Sequence, residues 1–147
     1  MSGRPLSDDV RALQVIWLAI VGGALLAVGV LGWLASQSAE GAPMAESADG
    51  LFLVNAVASM GAIVVGFALQ RMIPARAMSQ DTEEAAFGQV RALGIASIAV
   101  MEASALVAGV IAFLTGDALN FAFVVPFLAF AALFFPSNAR VASLLRP

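Results

Sequence analysis

Four apolar runs of membrane-spanning length dominate what this chain can fold into. From the N-terminus they are Leu13 to Leu34, Leu51 to about Ile73, Ala92 to Leu114, and a shorter one from Leu119 to Phe135. A helix rising about 1.5 Å per residue needs roughly 20 residues to cross about 30 Å of hydrocarbon. The runs are apolar all round rather than along one stripe, which in a chain of 147 residues leaves too much apolar surface for water. Composition agrees: 61% of residues are hydrophobic, 12% are charged and the mean hydropathy is +0.96, far from a soluble domain. Lipid offers the backbone no hydrogen bonds, so spanning segments of this kind must be helices. The sequence therefore predicts an all-α integral membrane protein. It is read as a single membrane domain over 1–147, a four-transmembrane-helix bundle with helices at about 10–36, 50–73, 82–115 and 118–136.

The punctuation between the runs fits that division. An acidic loop containing Glu40, Gly41, Pro43, Glu46, Asp49 and Gly50 separates the first two helices, and Pro74 is expected to stop the second. Asp81, Thr82, Glu83 and Glu84 have the spacing of a capping-box-like start, so the third helix should begin before the membrane, with Thr82 to Arg91 as a short solvated extension. Asp117 is the expected N-cap of the fourth helix and Pro136 its stop. The first run exceeds the roughly 7–15 residues of a signal-peptide core, and Asp8 and Asp9 offset Arg4 and Arg11, so it reads as a retained span.

Orientation follows from charge. Once the chain is threaded, all seven basic residues fall on one side: Arg4, Arg11, Arg71, Arg76, Arg91, Arg140 and Arg146. The loops on the other side, 35–50 and 115–118, hold Glu40, Glu46, Asp49 and Asp117 and no Lys or Arg. The positive-inside rule makes the arginine side cytoplasmic, giving an N-in/C-in, multi-pass protein of the cell (inner) membrane. The Ala- and Gly-rich, Lys-free composition fits a bacterial source. Trp17 and Trp33, near the two ends of the first helix, suit either the aromatic belts at both interfaces or ordinary packing.

The chain has no Cys and no His, which removes thiol redox chemistry, the common metal sites and His-based acid/base catalysis. With no nucleophile/base pair visible, an enzyme is not expected. No cofactor or metal is expected, nothing supports nucleic-acid binding, and the expected partners are membrane lipid and other membrane subunits, including copies of this chain.

Placing the first and third helices at an offset of 80 aligns Arg11, Ala12 and Leu13 with Arg91, Ala92 and Leu93, and then Ala19, Leu26, Gly29, Val30 and Leu34 with Ala99, Leu106, Gly109, Val110 and Leu114. Either an internal duplication or chance among Ala, Gly, Leu and Val accounts for this echo. In it, Gly22 occupies the place of Glu102.

Glu102 is the most informative single residue. It lies about 16 Å beyond Arg91 along the helix, close to the bilayer midplane, and no other acidic or basic side chain shares that depth. An ionised carboxylate there costs on the order of 2.5–3.5 kcal/mol, so Glu102 should face protein or water and hold its proton unless paired. Its expected partners are neutral: Asn55, Ser59, Ser97 or Ser104, or the backbone beside Gly22 and Gly23. Two readings follow. Glu102 is a group that takes up and releases a proton or coordinates a small cation, or it is a protonated acid that acts as interhelical glue in a structural accessory subunit or scaffold.

The segment from Ala99 to Phe113, AVMEASALVAGVIAF, resembles the carboxylate helix of the proteolipid c subunit of rotary ATP synthases, in which a mid-membrane Glu is followed by small residues, Gly and an apolar end. The direction matches as well, from a polar cytoplasmic loop outward. The resemblance implies that Glu102 is the ion-carrying carboxylate of a c-like homo-oligomer engaged in ion transport. It covers one helix of the four; the second helix lacks the family's glycine ladder, and the loop 74–91 lacks its Arg-Gln-Pro signature.

Small residues point to close packing. Ala19, Gly23 and Ala27 form one small-xxx-small row, and Ala105 and Gly109 another; Gly22 and Gly29 are further candidates for helix contact. The fourth run holds six of the ten Phe residues around Pro126, which is expected to kink it and to leave a lipid-facing or subunit-facing aromatic surface.

Overall fold

A computed structural model describes residues 6–37 and 42–145; Arg4, Glu40, Gly41 and Arg146 lie outside the described residues. The described chain is helical, with no strand: α1 (Leu6–Gln37), a 3-10 turn (Ala45–Ser47), α2 (Ala48–Met78), α3 (Glu83–Thr115), a 3-10 segment (Ala118–Phe123), α4 (Val124–Leu133) and α5 (Asn138–Leu145). Three helices are long and apolar enough to cross a membrane. A fourth candidate forms if Ala118–Leu133 and Asn138–Leu145, bent by 69° at Pro136, count together.

Contacts fix an up-down-up-down arrangement. Ser59 meets Ser104 and Gln70 meets Ser97, so α2 and α3 run antiparallel. Gly109 lies against Val28 and Leu31 of α1, while Val10 and Leu13 pack with Phe87 at the other end, so α1 and α3 run parallel. Trp17 donates to the Ala131 carbonyl at 3.2 Å and Gln14 to that of Pro136 at 3.0 Å, clasping α1 antiparallel to α4. The central element is α3: half of its most apolar stretch is buried, against 17% in α1 and 22% in α2. Among the described residues the arrangement gathers Arg11, Arg71, Arg76, Arg91 and Arg140 at one end. Glu46, Asp49 and Asp117 lie at the other.

Several elements differ from the sequence expectation. Helix α2 does not stop at Pro74 but continues to Met78. The proline forfeits one backbone bond, to the carbonyl of Gln70, near the helix end. Burial of Ile73 and Ala77 against Ala86 and Val90 offsets that loss. The same contacts mean that Thr82 to Arg91 is not simply solvated, since Ala86, Phe87 and Val90 are buried. Its start does follow the capping pattern in part: the Thr82 hydroxyl accepts from the Ala85 amide at 3.2 Å, with Glu83 and Glu84 in the first turn. The fourth run is not one helix to 136. Asp117 caps a 3-10 segment by accepting from the Leu119 amide at 2.9 Å, and α-helix begins only at Val124. Pro126 consequently sits in the first turn of α4, just after the change from 3-10 to α-helix, a position where proline is tolerated.

The aromatic surface expected on that run is also corrected. Phe127 and Phe130 are buried in the main core, and Phe121, Phe123, Phe134 and Phe135 pack against it. Phe130 and Phe134 meet Phe67 edge-on at 5.5 and 5.2 Å between centroids, an arrangement favoured by the ring quadrupole. A bundle whose central helix is lined with Ala, Gly and Ser needs large side chains from a neighbour to fill its volume, and α4 supplies them. Trp17 is buried and belongs to that core, whereas Trp33 is exposed.

Candidate functional site

Helical periodicity decides where each polar side chain points. On α2 the residues Asn55, Ser59, Gly66 and Gln70 fall at spacings of 4, 11 and 15, which places them on one face, and all four are buried. On α3 the facing residues are Ser97, Met101 and Ser104. The result is a seam of polar rungs with an apolar break. At the acidic end, Asn55 Nδ2 donates to Asn120 Oδ1 at 2.9 Å, and Asn120 Nδ2 donates to the Asp117 carbonyl at 3.3 Å. Near the middle, Ser104 Oγ donates to Ser59 Oγ at 3.0 Å. Next comes the break, where the Met101 and Phe130 side chains close on Gly66 so tightly that an added Cβ would meet them at 3.2 and 3.3 Å. At the arginine end, Gln70 Nε2 donates to Ser97 Oγ at 2.7 Å, and Ser97 Oγ to the Gly94 carbonyl at 2.8 Å.

Glu102 stands outside this seam. It follows Met101 by about 100° around the helix and precedes Ser104 by about 200°, so it shares a face with Gly109, seven residues on, rather than with the serines. That face meets α1. Parallel packing of Gly109 on Val28 and Leu31 puts Glu102 level with Val21 to Ala24, close to the offset of 80 in the sequence echo. Glu102 is partly exposed, and its neighbours Ala99 and Ala103 are exposed. Among the described residues its carboxyl makes no hydrogen bond. Of the partners expected for it, Asn55, Ser59, Ser97 and Ser104 are committed elsewhere, because helical geometry turns Ser97 and Ser104 toward α2, Ser59 toward α3 and Asn55 toward Asn120. At Gly22 and Gly23 an added Cβ would meet nothing within 4 Å, so the wall of α1 beside Glu102 is open.

The packing glycines divide in the same way. Gly109 is a close contact, with Leu31 Cδ1 at 3.1 Å from an added Cβ, while at Gly22, Gly23 and Gly29 an added Cβ would meet nothing within 4 Å. In the row Ala19, Gly23 and Ala27, the first two are exposed and the third is partly buried. Close approach occurs instead at Gly66 and at Gly32, against the Phe121 ring at 3.2 Å, neither singled out from sequence. The stripe Asn55, Ser59, Gly66 and Gln70 was legible as a helical face, and it would have located both Gly66 and the unnoticed Gln70.

Arg140, which the sequence marks only as one of the arginines at this end, makes contacts of its own. Its Nη2 donates to Gln70 Oε1 at 3.4 Å, its Nη1 to the Leu133 carbonyl at 3.3 Å, and its guanidinium lies 4.7 Å from the Phe134 ring centroid. A cavity of about 20 Å³, lined by Trp17, Gln70, Gly94, Phe134, Pro136 and Arg140 among others, lies beneath it. Among the described residues no group of three or more Asp, Glu, Cys or His side chains could hold a metal. No family profile, curated protein or solved structure matches the chain.

Proposed function

We propose that this chain is a four-span membrane subunit, with both ends cytoplasmic, that works in a homo-oligomer or larger membrane complex with Glu102 as its protonatable, cation-binding centre. One observation carries the reading: among the described residues Gln70 pairs with Ser97 and Ser59 with Ser104 across the α2–α3 seam, and Asn55 donates to Asn120 though its own Oδ1 is left unpaired, while the Glu102 carboxyl stands apart from all of them, partly exposed and without a hydrogen bond. The absence of a hydrogen bond to Glu102 among the described residues weighs against its acting as glue within the chain. A carboxyl at mid-membrane depth needs a partner, and this arrangement favours one from outside the chain, as a proton, a cation or a neighbouring subunit.

Two features support the topology and the c-like comparison. The described arginines gather at one end, where Asp81, Glu83 and Glu84 also lie, while the other end holds Glu46, Asp49 and Asp117 and no described arginine, the asymmetry that the positive-inside rule reads. The carboxylate helix also forms an antiparallel hairpin with α2 through a short polar turn at the arginine end, the layout that the resemblance implies. The open wall at Gly22 and Gly23 leaves access to Glu102 from the side.

Reaction of the reconstituted protein with an apolar carbodiimide tests the reading. Mass mapping should find the adduct on Glu102, and Glu102→Gln should retain its assembly while losing both the adduct and any proton-linked flux. Labelling confined to loop acids, or a Glu102→Gln protein with full flux, would leave Glu102 a structural acid and favour the scaffold reading.

A further inference from the structure

We propose that Arg140, held by α5 at the arginine end of the bundle, binds the phosphodiester of an anionic membrane lipid. The inference rests on the spanning topology above but not on the role of Glu102.

Three observations converge on it. First, Arg140 is the one arginine among the described residues that is partly buried; Arg11, Arg71, Arg76 and Arg91 are exposed. A cation drawn out of water needs a counter-charge, yet its contacts are all neutral: a carbonyl, an amide oxygen and an aromatic ring. Second, these contacts are long, at 3.3 and 3.4 Å, and occupy two of the five N–H donors of a guanidinium, which leaves donors for a bidentate anion. The Phe134 ring and the Gln70 amide hold the planar fork in place, so little side-chain freedom is left to lose on binding. Third, depth selects the ligand. Met60 lies midway between Asp49 and Arg71, the charges that flank the apolar stretch of α2, and Gln70 is ten residues, about 15 Å, farther toward the arginine end. That is the edge of a hydrocarbon core about 30 Å thick, next to the head-group layer within reach of an arginine side chain, where lipid phosphates reside. The chain bends by 69° between α4 and α5, and the contact with Gln70 places Arg140 at this level. Basic sites between helices on the cytoplasmic side suit anionic head groups.

The full chain in neutral detergent is titrated separately with phosphatidylglycerol, phosphatidylcholine and inorganic phosphate while thermal unfolding is followed. Phosphatidylglycerol should raise the midpoint of the wild type saturably, and the other two should not. Arg140→Gln should weaken the apparent affinity for phosphatidylglycerol about fivefold. Arg140→Lys, which keeps the charge but loses the fork, should also bind more weakly, whereas Arg71→Lys, the same exchange at an exposed arginine, should not. If Arg140→Gln does not fold, the two lysine variants decide the matter. An Arg140→Lys protein that responds like the wild type, or an equal shift from inorganic phosphate, overturns the assignment. Vesicle flotation separates the two levels of inference. Failure to float removes the spanning topology, while a floating protein indifferent to Arg140 removes only the lipid site. Glu102→Gln should leave the phosphatidylglycerol response unchanged.

Discussion

At the scale of single residues, the difference between Glu102 and the serines is a matter of angle. Ser104 is two residues from Glu102 and Ser97 five, near enough in sequence to look like partners, yet the helix turns both toward α2. The Ser59–Ser104 rung should show a coupling of about 0.6 kcal/mol in a double-mutant cycle of alanine variants, the average for polar pairs in membrane bundles. Zero coupling would mean that the rung is not formed. The glycines give a sharper contrast. Gly94 is buried in the middle of α3, yet an added Cβ would meet nothing within 4 Å, because it opens on the small cavity under Arg140. Gly94→Ala should therefore raise thermal stability, by about 1 kcal/mol from helix propensity alone. Gly66→Leu should lower it by about 1–3 kcal/mol or more, since Met101 and Phe130 already fill that space.

At the scale of elements, α4 and α5 show how position changes what a residue does. Pro126 in a helix interior would break it, but just after the change from 3-10 to α-helix it is tolerated. The six phenylalanines of 118–136 look like an outer surface when counted and prove to be the filling of a core built from small residues. The clasp of α1 on α4 depends on the indole of Trp17. Trp17→Phe keeps most of the apolar volume but loses the bond to the Ala131 carbonyl, and calorimetry or chemical unfolding should register a loss of about 1 kcal/mol. The short helix α5 covers Leu13, Phe87 and Val90 through Val141, Leu144 and Leu145. Ending the chain after Ser137 should lower the unfolding midpoint and increase proteolysis of the 79–82 turn, while helix content changes little. An unchanged midpoint would show that α5 contributes no packing.

At the scale of the molecule, alternation of direction gathers the described arginines at one end, and this gives the topology a direct test. The chain has no cysteine, so single reporters can be introduced without a background. In intact cells, Ser47→Cys, in the loop before α2, should react with an impermeant maleimide from outside. Ser79→Cys, after α2, should react only once the membrane is opened. Reaction of both from the same side would break the four-span threading. Much apolar surface remains on the outer faces of α1 and α2, including Leu26, Val30, Leu53, Val57, Met60 and Val64, as suits an environment of lipid or neighbouring subunits.

Hydropathy and charge, read along the chain, settled the helical class, the approximate extent of α1, α2 and α3, and the gathering of basic residues at one end. These are local or additive properties that need no knowledge of neighbours. Which face of each helix turns inward, where Pro74 and Pro126 are tolerated, and whether an aromatic run fills a core depended on contacts between segments far apart in sequence. Apolar periodicity is a weak guide when lipid and core are equally apolar, because no polar face marks the outside. For the same reason Glu102 stands out in the sequence as a carboxyl within an apolar run, but its separation from the serines and asparagines nearby was decided only when α3 packed between α1 and α2.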